Sequence, residues 1–148
     1  MEERHGMAWG PWRILFHHTI KDGLFYGFHS GVIVHVINLY QNWLTHVIKI
    51  LSAPKLLTEL RLGYNYFNRN FPSNILNLDR LNKIYIFHNP GIIGNDPSKI
   101  GNMTGLMYLV LYFTSLNGNT PLKFDLIKDL FYLGMDETHI NGPIPYNL

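Results

Sequence analysis

Apolar residues recur along the chain at a fixed spacing from Leu57 onwards. Each copy opens with the pattern LxxLxL, and successive copies begin about 24 residues apart. Alternation of apolar residues at the fourth and sixth positions is typical of a short strand with one buried face. The copies begin at Leu57, Leu81, Leu106 and Leu130. Because one copy cannot bury its apolar face alone, the pattern predicts a solenoid of stacked copies with one continuous core.

A weaker copy precedes these and begins at Val34. Ile37, Leu39 and Leu44 occupy its core positions, and Asn42 occupies its polar ninth position. Fewer apolar positions fit further upstream, so we expect a degenerate repeat or an amino-terminal cap over residues 1–33. The repeat array would then occupy residues 34–148, with about five copies of which the last is incomplete.

One stretch without charged residues, between Asp22 and Lys49, is long enough to cross a bilayer. Histidine, asparagine and glutamine recur within it, and such polar groups are costly in hydrocarbon. We therefore interpret the stretch as a strand with core-facing neighbours and expect no membrane span in this chain.

The ninth position of each copy is polar. It is asparagine in the earlier copies, at Asn42, Asn65 and Asn89, and such a side chain can satisfy backbone groups where the chain leaves the strand. Thr114 and Thr138 take this place in the later copies. Because threonine is shorter, we expect it to weaken a row of hydrogen bonds along the solenoid.

The full consensus, LxxLxLxxNxLxGxIPxxIGxLxx, is matched most closely by Asn141-Gly-Pro-Ile-Pro145, Ile100-Gly-Asn-Met-Thr104 and Leu116-Asn-Gly-Asn-Thr-Pro121. On these residues the chain resembles plant-type leucine-rich repeat proteins, which include receptor-like kinases, receptor-like proteins and polygalacturonase inhibitors. The resemblance implies an α/β-type leucine-rich repeat solenoid. Its expected form is a right-handed superhelix with one parallel β-sheet on the concave face and short 3-10 or irregular segments on the convex face.

Residues between the leucines of each strand are expected to point outward, onto the concave face. Aromatic rings concentrate there in the middle and later copies. Tyrosine and phenylalanine are enriched in the cores of interfaces, so the patch predicts a binding site for a protein or peptide ligand, or for a co-receptor. An adjacent segment such as residues 1–33 could cover the patch instead. The candidate ligand-binding residues are Tyr85, Phe87, His88, Tyr108, Tyr112, Phe113 and Tyr132.

Composition and charge narrow the possible functions. Charged residues form 15% of the chain and hydrophobic residues 47%, which argues against intrinsic disorder. The formal net charge is only +2 and no run of lysine or arginine occurs, so we expect no nucleic-acid partner. The absence of cysteine excludes disulfides, zinc–thiolate sites and cysteine nucleophiles.

The remaining candidate chemistry is weak. His17 and His18, with Asp22 nearby, resemble a metal-ligand pair, but no third well-spaced ligand completes a site and we expect no metal. The motifs GxxxxGK[ST], GxSxG and HExxH do not occur. We therefore expect no catalytic residue, no cofactor and no enzymatic activity.

The leading hypothesis is a recognition module that resembles part of the ectodomain of a receptor-like kinase or receptor-like protein. The resemblance implies the cell surface or the extracellular space, where Asn102 of the sequon Asn102-Met-Thr104 would be glycosylated, although no signal peptide is visible. One alternative is an inhibitor similar to those of polygalacturonases. Another is a truncated remnant without independent function.

Overall fold

The computed structural model describes residues 7–8, 13–15, 34–45, 55–68, 70–71, 73–94, 97–144 and 146. The His17–His18 pair and most of the expected cap lie outside these residues. The expected division of the chain after residue 33 therefore stays a prediction.

A seven-stranded sheet runs through the described part of the chain. It begins with β1 (Met7–Ala8) and β2 (Arg13–Leu15), which pair antiparallel. The repeat strands are β3 (Val36–Asn38), β4 (Glu59–Arg61), β5 (Lys83–Tyr85), β7 (Tyr108–Val110) and β9 (Tyr132–Gly134). Parallel pairs join β2 to β3 and continue through each later repeat strand.

Register across this sheet follows the repeat without a slip. Leu60 lies opposite Ile37 on one side and Ile84 on the other, and Leu109 continues the row. These fourth-position residues have no exposed surface. A shift by one residue would turn them outward, so burial of this row fixes the register.

A second, three-stranded parallel sheet is formed by strands that follow those of the first sheet along the chain. It consists of β6 (Asn89–Gly94), β8 (Thr114–Asn119) and β10 (His139–Asn141), in the order β10-β8-β6. Its register is irregular between Asn89 and Ile93, where the second copy carries one extra residue. The repeat pattern did not predict this second sheet.

Short 3-10 helices follow, at Ser73–Asn77, Pro97–Asn102 and Leu122–Leu126. One contact between them is very close. A Cβ atom added to Gly101 would lie 2.3 Å from Cβ of Lys123, so only glycine allows the neighbouring turn to approach so near.

The core is one continuous cluster shared by all described repeats. It includes the LxxLxL leucines and isoleucines of each copy together with two large side chains, Phe67 and Phe124, which are almost completely buried. Burial of each such side chain contributes about 1.5–3 kcal/mol. The expected leucine-rich repeat fold with parallel strands and short 3-10 segments is confirmed, and the handedness of its superhelix stays a prediction.

A row of asparagine side chains fastens neighbouring repeats together. Asn65 Nδ2 donates to the carbonyl oxygens of Leu62 at 3.0 Å and of Leu39, in the preceding repeat, at 2.9 Å. Its Oδ1 accepts from the backbone N–H of Leu44 at 3.1 Å. Asn89 repeats this pattern one turn later, donating to Ile86 and to Leu62. The predicted role of the ninth position is confirmed.

The threonines continue only part of this row. Thr114 Oγ1 donates to the carbonyl oxygen of Leu111 at 2.8 Å, and Thr138 Oγ1 donates to that of Met135 at 2.6 Å. These are the bonds within one repeat, and threonine has no second donor for a neighbour.

Candidate functional site

Two parallel rows of side chains lie at the ends of the repeat strands, at the seventh and eighth positions of each copy. We call them the inner row and the outer row. The inner row consists of Tyr40, Gly63, Phe87, Tyr112 and Asp136, and the outer row of Gln41, Tyr64, His88, Phe113 and Glu137.

In the inner row, Phe87 stacks on Tyr112, with 4.7 Å between ring centroids and 27° between planes. On its other side Phe87 extends across Gly63 towards Tyr40, with 6.0 Å between centroids. A Cβ atom at Gly63 would lie 2.9 Å from Cζ of Phe87. The missing side chain of Gly63 therefore makes room for the Phe87 ring.

In the outer row, three rings stack face to face along the solenoid. The His88 imidazole lies 4.2 Å from the Tyr64 ring and 4.4 Å from the Phe113 ring, with planes within 19° of parallel. The backbone of every outer-row residue is left-handed, with φ between 51° and 57°. This conformation is uncommon for side chains other than glycine and asparagine, and the repeat pattern did not predict it.

The two rows also contact each other edge to face. Tyr64 meets Phe87 at 5.5 Å and 85°, and His88 meets Tyr112 at 5.6 Å and 86°. Such aromatic pairs contribute about 0.5–1.5 kcal/mol each beyond the area they bury. The rows therefore form one cohesive aromatic surface rather than separate exposed rings.

Closer to the middle of the strands, tyrosines lie beside cationic side chains. The Arg61 guanidinium lies 5.4 Å from the Tyr85 ring centroid, and the Lys83 ammonium lies 5.4 Å from that of Tyr108. Arg61 Nε also donates a hydrogen bond to Glu59 Oε1. Each cation therefore lies near a tyrosine ring of the neighbouring strand, and Arg61 is also paired with Glu59.

An open cavity of about 460 Å³ lies on the outward face of the seven-stranded sheet. We call it the sheet-face cavity. Val110, although expected to point outward, is only 5% exposed and lies against its floor. The lining consists of Tyr40, Arg61, Tyr85, Phe87, Tyr108, Val110, Tyr112 and Tyr132.

Most of the residues selected from the sequence meet at this cavity. Tyr85, Phe87, Tyr108, Tyr112 and Tyr132 line it. The other two, His88 and Phe113, belong to the outer row beside it.

Sequence reasoning missed three lining residues, Tyr40, Arg61 and Val110. Tyr40 belongs to the weak copy that begins at Val34. It is the seventh residue of that copy, equivalent to Phe87 and Tyr112, and this equivalence could have identified it. Arg61 and Val110 were left out because the selection followed aromatic rings, although the fifth position of Arg61 places it directly beside Tyr85.

Burial affects two phenols of the cavity. It raises the pKa of Tyr85 above its ordinary value, with a smaller contribution from the charge of Glu59. Burial likewise raises the pKa of Tyr112, helped by the nearby Tyr64, Tyr132 and Asp136. Both hydroxyls therefore remain protonated at neutral pH and can donate hydrogen bonds to a ligand.

Asn102 lies away from this cavity, at the end of the 3-10 helix Pro97–Asn102. Its side chain is exposed, and its Oδ1 accepts a hydrogen bond from Lys123 Nζ at 3.4 Å. Thr104, the third residue of the sequon, is also exposed.

No protein-family model matches the sequence, and no curated protein sequence matches it. Solved structures do resemble it. One is the plant peptide hormone receptor RGFR1 in complex with RGF2, with 26% identity and a TM-score of 0.67, where the match covers 78% of this chain and 18% of the receptor. A second is the Arabidopsis receptor kinase HAESA in complex with the peptide hormone IDA and the co-receptor SERK1. Its identity is 27% and its TM-score 0.67, covering 76% of this chain and 19% of that one.

A third similar structure is the leucine-rich repeat ectodomain of the receptor kinase SOBIR1 from Arabidopsis thaliana, with a TM-score of 0.70. At 22% identity it supports the fold alone; the match covers 89% of this chain and 72% of that one. The chain spans about a fifth of the length of the RGFR1 and HAESA chains.

Fold and similarities together define the class: the chain has a leucine-rich repeat fold and is similar to the ectodomains of plant receptor kinases. The comparisons do not favour the inhibitor alternative. Within the described ranges, no helix combines the length and apolar character needed to span a membrane.

Proposed function

We propose that this chain is a recognition module that binds a peptide or a peptide segment of a protein in the sheet-face cavity. The observation that carries the proposal is the continuity of the aromatic surface across adjacent repeats, from Tyr40 through Phe87 to Tyr112. It is supported by the similarity to RGFR1 and HAESA, whose structures contain RGF2 and the peptide hormone IDA.

The cavity has the composition of a binding hot spot. Tyrosine and phenylalanine supply large contact areas at low cost in side-chain entropy, and interface energy concentrates on such anchors. Neighbouring strands lie about 4.8 Å apart, so the rings form a track along the solenoid axis on which an extended segment can lie. The protonated hydroxyls of Tyr85 and Tyr112 would donate hydrogen bonds to its carbonyl groups.

The mechanism is surface complementarity without chemical conversion of the ligand. Arg61 and Lys83 lie against tyrosine rings near the cavity and would set the preferred charge of flanking ligand residues. By the same resemblance, the proposed location is the cell surface or the extracellular space, and a co-receptor is a proposed second partner.

The test is selection of peptides from a displayed random library on the folded chain. Sequences enriched on the wild-type protein are compared with those enriched on the triple variant Tyr85→Ser, Tyr112→Ser, Phe113→Ser, with folding checked by circular dichroism. We expect a consensus on the wild-type chain that the triple variant does not enrich.

A matched control keeps the result interpretable. Leu126→Ser removes an exposed apolar side chain from a 3-10 helix, away from the cavity, and should enrich the same consensus as the wild type. If the triple variant does not fold, Tyr132→Ser, at a 48% exposed position on the cavity, replaces it. Equal enrichment on the cavity variants and the wild type would overturn the proposal.

A further inference from the structure

A second groove lies beside the outer row, separate from the sheet-face cavity. Its floor is formed by the ninth-position side chains Asn42 and Asn65, and its two walls by eighth- and tenth-position residues. We call it the ladder groove, and its volume is about 360 Å³. The residues that line it are Gln41, Asn42, Trp43, Tyr64, Asn65, Tyr66, His88 and Pro90.

One wall of the ladder groove is an exposed aromatic platform. Trp43 and Tyr66 occupy the tenth position of adjacent repeats, and their rings stack with 5.5 Å between centroids and 26° between planes. They are 55% and 56% exposed, so the described part of the chain leaves about half of each side chain open to a ligand. Pro90 continues the row in the next repeat and extends the platform along the solenoid axis.

The floor of the groove is polar but already occupied. All the Asn65 contacts described above are to backbone groups, and its Nδ2 also donates to the carbonyl oxygen of Gly63 at 3.3 Å. Hydrogen bonds to a ligand would therefore come from the walls. The amide of Gln41, the hydroxyls of Tyr64 and Tyr66, and the imidazole of His88 are the groups available there.

Charge distinguishes this groove from the sheet-face cavity. The described residues that line it include no aspartate, glutamate, lysine or arginine, whereas Arg61 lines the other cavity. An ionic ligand would find no counter-charge and would lose hydration on entering. The lining therefore fits a neutral ligand that combines apolar faces with many hydroxyl groups.

We infer that the ladder groove binds a neutral oligosaccharide. A pyranose ring presents a face of C–H bonds, which packs on an aromatic plane, and an edge of hydroxyls, which pairs with amides, phenols and imidazole. The parts of the Trp43 and Tyr66 ring faces that their mutual stacking leaves exposed supply the plane. Gln41, Tyr64 and His88 lie within the same groove to pair with the edge.

The test is isothermal titration calorimetry of the full chain with defined hexasaccharides. The probes are neutral β-1,4-linked hexamers of glucose, mannose and xylose, and a hexamer of galacturonic acid is the charged comparator. We expect at least one neutral hexamer to bind saturably below about 10 mM, and the charged hexamer to bind at least about tenfold more weakly.

Two variants locate the site. Trp43→Ala and Tyr66→Ala each remove one ring of the platform and should weaken binding of the neutral hexamer at least about tenfold. Phe131→Ala removes a ring that is 76% exposed and lies outside the groove, so it should leave the affinity within about twofold. Circular dichroism confirms that each variant is folded.

Three results would overturn the inference: no saturable binding of any neutral hexamer, tighter binding of the charged hexamer, or equal weakening by Phe131→Ala. A fourth such result is that Trp43→Ala weakens the binding of a selected peptide and leaves the binding of the hexamer unaffected. That result would assign the groove to a peptide. The inference does not rest on the peptide proposal, since Tyr132→Ser should leave hexamer binding unchanged even where it abolishes peptide binding.

Discussion

The imidazole ring of His88 lies parallel to the ring of Phe113 in the next repeat, with 4.4 Å between centroids and 19° between planes. Both residues have a left-handed backbone, with φ of 51° and 53°. Bulky side chains in this region carry a conformational cost of about 1–3 kcal/mol. The ring stack offsets part of that cost and holds the side chains at the edge of the proposed binding surface.

The stack predicts opposite effects of the same substitution at two positions. At Glu137, which has φ of 53° and no aromatic contact described, Glu137→Gly removes the left-handed strain and should leave stability unchanged or raise it by up to about 1 kcal/mol. His88→Gly also relieves strain but deletes two stacked contacts and the edge-to-face contacts with Phe87 and Tyr112, so we expect a loss of about 1–2 kcal/mol.

Urea unfolding of both variants measures the difference. A gain in stability from His88→Gly equal to that from Glu137→Gly would show that the stack contributes nothing.

The asparagine row predicts a gradient of stability along the solenoid. Asn65→Ala removes hydrogen bonds to two repeats and takes the Oδ1 acceptor from the buried N–H of Leu44, so we expect a loss of about 3 kcal/mol. Thr138→Ala removes the bond donated to Met135 and the bond accepted from the Ile140 N–H, both within one repeat and at a half-buried position, and should cost about 1 kcal/mol. Chemical denaturation of the two variants tests this order, which similar losses would contradict.

The phenols of the sheet-face cavity predict a loss of stability at alkaline pH. Because burial raises the pKa of Tyr85 and of Tyr112 in the folded state, the unfolded chain releases these protons first as pH rises above about 10. Their contribution is therefore fully present below that pH and is lost as pH rises through the folded-state pKa values.

Denaturation at increasing pH, compared with the double variant Tyr85→Phe, Tyr112→Phe, measures this contribution. The variant should lose less stability than the wild type above pH about 10. Identical pH dependence in both proteins would contradict the assigned effect of burial.

Exposure of Asn102 and Thr104 predicts that a secretory pathway would attach a glycan at this sequon. Mass spectrometry of the secreted chain should show the glycan, and Asn102→Gln should remove it. Asn119→Gln changes an exposed asparagine outside any sequon and serves as the control. Unmodified Asn102 in a glycosylating host would contradict the prediction.

The repeat spacing predicted the positions of the strands and the core, because Leu60, Ile84, Leu109 and their equivalents recur where one face of each strand must be buried. The parallel arrangement of the strands was implied by the resemblance to leucine-rich repeat proteins. The polar ninth position was also predictable, down to the weaker contribution of Thr114. The number of hydrogen-bond donors and acceptors on an asparagine or threonine side chain was enough to predict this difference.

The aromatic rows could be predicted only in part. A strand pattern places Tyr85 and Tyr108 on the outward face, but it does not show that Phe87 extends across Gly63 to reach Tyr40. That contact depends on the size of a side chain one repeat away. The left-handed outer row was not predictable because residues such as His88 rarely adopt that conformation.

The most direct test of the central claim is the affinity of a selected peptide for two single variants, measured by calorimetry. Tyr132→Ala truncates a 48% exposed ring that lines the sheet-face cavity, whereas Leu126→Ala truncates a 55% exposed side chain on a 3-10 helix. We predict that Tyr132→Ala weakens binding about 30-fold, as for an interface hot spot, and that Leu126→Ala changes it less than about threefold. Equal affinities for the two variants, or a larger loss with Leu126→Ala, would contradict binding in the sheet-face cavity.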